Sequence, residues 1–74
     1  MTGKQSLRAL GEALRAARLE RGYSQERFAT AAGLDRSYYG AIERGESNIT
    51  LITSTKVAAG LGISLSDLCK RAGL

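Results

Sequence analysis

Between Ser24 and Gly45 the stretch SQERFATAAGLDRSYYGAIERG sets a helix cap, a helix stop and a second cap in close succession. Ser24 suits an N-cap, because its hydroxyl can accept from a backbone N–H that has no partner in the first helical turn. Tyr23 before it and Phe28 one turn on are spaced to close as a hydrophobic staple. Gly33 falls where a helix ends in a left-handed residue, a conformation that costs glycine nothing for want of a Cβ. Asp35 then caps another helix, and Leu34 with Tyr39 repeats the staple. A turn of about three or four residues joins two helices at a steep angle, as in a helix-turn-helix. Ala29 and Ala32 are small enough to let the second helix cross close to the first.

The same punctuation divides the rest of the chain. Residues 1–5 read as a frayed start. From Ser6 a first helix sets Leu7, Leu10, Leu14 and Ala17 on one stripe, with Arg8, Glu12, Arg15 and Arg21 toward water, and Gly22 ends it. The third helix, from about Arg36 to Arg44, divides by face. Tyr39, Ile42 and Glu43 lie on one side; Arg36, Ser37, Gly40, Ala41 and Arg44 lie on the other. A carboxylate beside two core positions needs a hydrogen-bonded cation. Arg18, near the end of the first helix, is the expected partner, so an Arg18–Glu43 ion pair should tie the first helix to the third. After a polar loop at Glu46, Ser47 and Asn48, Thr50 caps a fourth helix that Gly62 closes, with Val57, Ala58 and Leu61 inward. Ser64 caps a fifth, with Asp67 at the capping-box position and Ile63 and Leu68 as a third staple. Leu65, Leu68 and Ala72 form its apolar side.

Five short helices without a long β-branched alternation make an all-α fold, and 74 residues make one domain, 1–74, with no repeat, linker or low-complexity tract. The formal charge of +4 and a pI near 9.7 favour an anionic partner. Cys69 is the only cysteine, so no internal disulfide forms and a reducing compartment fits. The N-terminus lacks the apolar stretch of a signal peptide and no segment is long enough to span a bilayer, which points to the cytoplasm. Catalysis finds no support. There is no histidine, no paired carboxylates and no phosphate-cradling glycine loop, since the glycines are spaced as helix stops. No metal site, cofactor or small-molecule ligand is expected, because imidazole and paired thiol ligands are missing.

At this point the residues carry a likeness. Gln25, Ala29, Gly33, Leu34, the run Arg36-Ser37-Tyr38 and then Ile42-Glu43-Arg44-Gly45 resemble the XRE/Cro-CI helix-turn-helix regulators, from about Leu7 to Leu68. LDRSYYGAIERGESNITL looks most like the small controller proteins of restriction–modification systems. The resemblance implies a compact five-helix, lambda-repressor-like domain. It also implies a prokaryotic, nucleoid-associated transcriptional regulator that binds a pseudo-palindromic DNA operator as a homodimer, with the third helix in the major groove. Carried over by position, it implies base reading by Arg36 and Ser37, a base or backbone contact by Tyr38, and phosphate contacts by Gln25, Arg44 and Asn48. It implies the Arg18–Glu43 pair as well. Three residues depart from the family pattern: Ser47 stands where a second base-reading arginine is frequent, Tyr39 replaces an aliphatic core residue, and Ser54 falls where an apolar one is common.

The chemistry of these residues fits that assignment. An arginine at the start of a helix opposes the helix dipole, so Arg36 is better explained by a bidentate bond to guanine O6 and N7 than by structure. Gly40 and Ala41 would let the helix lie deep and bring the Ala41 methyl to a thymine. Tyr38 can instead be packing. One such module covers half a site, and two-fold symmetry supplies the rest. Ile52, Leu65, Leu68 and Leu74 are the candidates for the dimer patch, with ordinary core as the alternative for Leu65 and Leu68. The rival reading is a helix-turn-helix adaptor or antitoxin that works through protein contacts.

Overall fold

The computed structural model describes residues 2–74, which form α1 (Gly3–Glu20), α2 (Gln25–Ala32), α3 (Arg36–Glu43), α4 (Leu51–Leu61) and α5 (Leu65–Arg71), with no strand among them. Every helix starts at a hydroxyl or carboxylate cap in extended backbone: Thr2, Ser24, Asp35, Thr50 and Ser64 each accept from the N–H three residues on. Gly33 and Gly62 end α2 and α4 in left-handed backbone, at φ 73° and 72°.

One boundary differs from expectation. Residues 2–5 are not frayed but form the first turn of α1, because Thr2 and Gln5 make a reciprocal capping box: the Thr2 hydroxyl accepts from the Gln5 N–H at 3.1 Å, and the Gln5 side chain accepts from the Thr2 N–H at 2.8 Å. Met1 lies outside the described residues. At α5 the converse holds. The Ser64 hydroxyl accepts from the Asp67 N–H, and no return bond from the Asp67 carboxylate forms.

Side chains from all five helices make one core. Leu10, Leu14 and Ala17 of α1 meet Phe28, Ala29 and Ala32 of α2, Tyr39 and Ile42 of α3, Val57, Ala58 and Leu61 of α4, and Leu68 of α5. Each large aliphatic or aromatic side chain buried here contributes roughly 1.5–3 kcal/mol of transfer free energy. The aromatics meet in a row: Tyr23 lies edge-on to Phe28 with centroids 5.5 Å apart, and Phe28 is tilted against Tyr39 at 5.1 Å. The first of these contacts is the staple read from the sequence. α1 packs against α3, α4 and α5, and α2 against α3 and α4, so α3 is held from behind by two helices.

α1 and α3 pack backbone against backbone. A Cβ built at Gly11 would overlap the Glu43 carbonyl oxygen and lie 2.6 Å from that of Ile42, so only glycine lets the two backbones approach this closely. Further toward the start of α1, Gly45, at φ 71°, rests on the backbone of Arg8. Ser54 is buried, and its hydroxyl donates to the Thr50 carbonyl at 2.8 Å.

Leu68 is fully buried in this core, which removes it from the expected dimer patch. Leu65 is half-buried against the same core. Both face inward because α5 lies across α1 and α4, an arrangement that apolar spacing alone leaves open. Ile52 and Leu74 are exposed by 70% and 52%, and Leu51 beside Ile52 is exposed by 70%.

Candidate nucleic-acid interface

The rear of α3 is fixed by a buried charge pair. Arg18 Nε donates to Glu43 Oε2 at 2.6 Å and Nη2 donates to Glu43 Oε1 at 3.1 Å, the two-pronged geometry that suits a guanidinium and a carboxylate. The remaining terminal nitrogen, Nη1, donates to the Tyr23 carbonyl at 2.8 Å, so the same arginine also holds the turn before α2. Gln25, the first residue of α2, donates its side-chain amide to Glu43 Oε1 at 3.0 Å. One carboxylate thus joins α1, α2 and α3.

Burial alone would raise the Glu43 pKa, but Arg18, the adjacent Tyr39 hydroxyl and Gln25 together outweigh it and hold the carboxyl below its usual range. The Arg18 guanidinium is held more firmly protonated by the Glu43 carboxylate. Tyr39 lies beside the pair, fully buried, with its hydroxyl close to the Glu43 carboxylate but without a well-formed hydrogen bond. Burial pushes that phenol pKa upward, away from ionisation.

The opposite edge of α3 is open. Arg36 and Ser37 are exposed in its first turn, and neither side chain makes a hydrogen bond or ion pair with another described residue. Asp35 beside them is occupied as the cap, accepting from the Tyr38 N–H at 3.1 Å. Tyr38 is half-buried against the core, so its ring is partly engaged in packing and partly at the surface. Ala41 is half-exposed.

Gly40 departs from expectation. It is buried, and a Cβ there would lie 3.2 Å from Arg44 Nη1 and 3.5 Å from Gln25 Oε1. Those two side chains, one from α2 and one from the end of α3, fold over the position and cover it. Gln25, Gly40 and Arg44 therefore form one polar cluster next to the exposed Arg36–Ser37 edge. Arg44 is exposed and donates through Nε to Glu46 at 2.9 Å, a surface pair worth little energetically. Asn48 is exposed in the loop beyond.

The arrangement is a rigid helix with its back locked and its leading edge presenting a cation and a hydroxyl, flanked by amide, guanidinium and carboxamide groups. Such groups can pair with base edges at the front and phosphate oxygens at the sides. Sequence reasoning missed Leu51, which is exposed beside Ile52 in the first turn of α4. It also missed the closeness of Gly11 to α3, for which an isolated helical glycine was the available signal. Among the described residues no helix is long and apolar enough to cross a membrane, and no cluster of His, Cys, Asp or Glu could hold a metal ion.

Comparison with known proteins gives the context of this geometry. Residues 14–68 match the helix-turn-helix family HTH_3. The control protein C.MunI of a Mycoplasma species is 53% identical over 45 residues, covering 61% of this chain and 61% of its own length. The match therefore spans about three fifths of that relative. The crystal structure of the restriction–modification controller protein C.AhdI from Aeromonas hydrophila superposes with a TM-score of 0.82 at 44% identity, over 84% of this chain and 94% of that one. The controller protein C.Esp1396I, solved as a tetramer in complex with its natural 35 base-pair operator, superposes with a TM-score of 0.79 at 30% identity, over 93% and 96% of the two chains.

Proposed function

Because the chain belongs to the XRE-type helix-turn-helix family HTH_3, we propose that it is a sequence-specific transcriptional regulator that binds operator DNA as a homodimer. It works by binding and not by catalysis, in the cytoplasm, on the nucleoid. α3 enters the major groove. Arg36 and Ser37 read base edges, with the Ala41 methyl and the outer edge of Tyr38 beside them, and Gln25, Arg44 and Asn48 grip phosphates. The biological setting is the one in the names of its relatives, control of a restriction–modification system. The observation that carries the reading is the exposed, unpaired Arg36 in the first turn of a helix whose other face is locked by Arg18–Glu43. A cation placed against the dipole there has no internal reward, whereas a guanine edge supplies two acceptors.

The dimer is formed through the start of α4, where Leu51 and Ile52 are exposed side by side. Leu74, exposed as well, belongs to the same proposed patch. Selection of duplexes from a random pool, followed by binding titrations, tests the reading. Arg36→Ala is expected to cost about 1–3 kcal/mol on the selected site and to relax preference at one base pair. Arg44→Ala should weaken all sequences alike. If the wild-type protein selects no sequence, or Arg36→Ala keeps full preference, the reading falls.

A further inference from the structure

Three cations meet where α1 begins and α3 ends, two of them outside the contacts assigned above. They line a cleft of about 520 Å³ bounded by Lys4, Leu7, Arg8, Arg44, Gly45 and Glu46. Lys4 and Arg8 are one turn apart on α1, so both side chains rise from the same face. Glu46 is the one acid in the lining, and it is already bonded to Arg44 at 2.9 Å. Lys4 and Arg8 make no ion pair with another described residue. Lys4 also stands in a first helical turn that holds no acidic residue, against the dipole, as Arg36 does in α3.

The cleft is rigid on its protein side. A Cβ at Gly45 would come within 2.8 Å of the Arg8 Cα and 3.0 Å of its N, so the turn leaving α3 lies directly on α1. One turn along, Gly11 fixes the same two helices against each other. Arg8 therefore keeps a set position relative to the end of α3. Its neighbour Arg44 spans the two regions, reaching over Gly40 on one side and lining the cleft on the other.

We propose that Lys4 and Arg8, together with Arg44, hold a DNA backbone phosphate just beyond the groove segment occupied by α3, so that each protomer's footprint extends past its half-site on the α1 side. This rests on the DNA-binding reading above and adds a contact to it. Charge selects the occupant: an open cleft walled by long, exposed cations suits a phosphate presented by a polymer, whose remaining charges meet Arg44 and Gln25 next door. The contact carries no base information and adds affinity evenly over sequences.

The test uses the full chain and the duplex it selects from a random pool, with Arg8→Gln and the double variant Lys4→Gln/Arg8→Gln, their folding checked by circular dichroism. Each lost phosphate contact lowers the slope of log affinity against log salt by about 0.9, so per protomer the affinity gap from wild type narrows about 3.5-fold between 50 and 200 mM salt. The ranking of selected against scrambled duplexes stays unchanged. Phosphate ethylation, which interferes with wild-type binding at a position outside the half-site, no longer does so in the variants. If the wild-type protein binds with its expected salt dependence and folded variants keep the same slope and ethylation pattern, the proposal is overturned and the DNA-binding reading stands. If the variants keep DNA binding intact but lose transcriptional output, the cleft meets another protein and the proposal is likewise overturned. If the wild-type protein binds no duplex, both fall.

Discussion

Gly11→Ala is the most demanding trial of the packing described here, since helix propensity and tertiary contact predict opposite signs. Inside an exposed helix, alanine is better than glycine by about 1 kcal/mol. At Gly11 the new methyl would overlap the Glu43 carbonyl oxygen and lie 2.6 Å from the Ile42 oxygen and 2.8 Å from the Glu43 carbonyl carbon. These are backbone atoms, so no side chain can swing aside and the two helices must separate. Inserting a methylene into a packed core costs about 1–3 kcal/mol, and three backbone contacts under 3 Å put this site at the top of that range. Separation also pulls at Arg18 and Glu43, which bridge the same two helices. Against the propensity gain, a net loss of about 2 kcal/mol remains, which in a domain of this size lowers Tm by roughly 8–16 °C. Thermal and urea unfolding followed by circular dichroism measure it. Gly3→Ala is the control, because nothing lies within 4 Å of its Cβ position, and it should shift stability by less than about 0.5 kcal/mol. A Gly11→Ala protein as stable as wild type would show that the α1–α3 contact is not close-packed.

Glu43→Ala should destabilise by about 3–5 kcal/mol, since it leaves the Arg18 guanidinium buried without a counter-charge; replacing both residues by apolar ones should recover much of the loss. Because the Glu43 carboxyl is held below its ordinary 4.5, its contribution is complete above that pH and is lost as pH falls through the lower, folded value. Unfolding midpoints measured from pH 6 down to 3 should therefore decline below about 4.5, and less steeply in Glu43→Gln. Tyr39→Phe removes a buried hydroxyl that makes no well-formed hydrogen bond but sits against the Glu43 carboxylate, so the two effects oppose and stability should change by less than about 1 kcal/mol. The burial-raised phenol favours the folded state below pH 10 and weakens it as pH climbs above, so Tyr39→Phe should also flatten the alkaline arm of the stability curve. Ile52→Lys should leave the melting of the monomer within about 0.5 kcal/mol, being 70% exposed, while sedimentation shows loss of the dimer and operator binding weakens.

Much of this molecule is written locally. Ser24, Asp35, Thr50 and Ser64 cap where a cap residue precedes an apolar period, and Gly33 and Gly62 stop the helices in left-handed backbone that strains residues with a Cβ. The Arg18–Glu43 pair was legible for a different reason. A carboxylate at a buried helical spacing demands a cation, and few were in reach. What stayed hidden depends on other elements. The first turn of α1 read as a frayed start, yet Thr2 and Gln5 satisfy each other's backbone groups. Gly40 has nothing of its own to bury; Gln25 and Arg44 cover it. Leu68 and Ile52 are both apolar at helical spacing, and only the lie of α5 across α1 and α4 decides that one faces inward while the other stays out. Gly11 carried no reading in the sequence and is the point where two backbones touch.

The Glu43 carboxylate serves two masters, bracing α1 through Arg18 and steadying Gln25 at the head of α2. If Gln25 grips a phosphate as proposed, heat resistance and hold on DNA draw on a single anion, and selection would disturb both by altering it. On the same reading, drift in target preference would fall to Arg36 and Ser37, whose side chains bond to nothing among the described residues and can be exchanged with little effect on the fold. A lineage of such chains should diversify along that narrow rim while the triad behind it stays still.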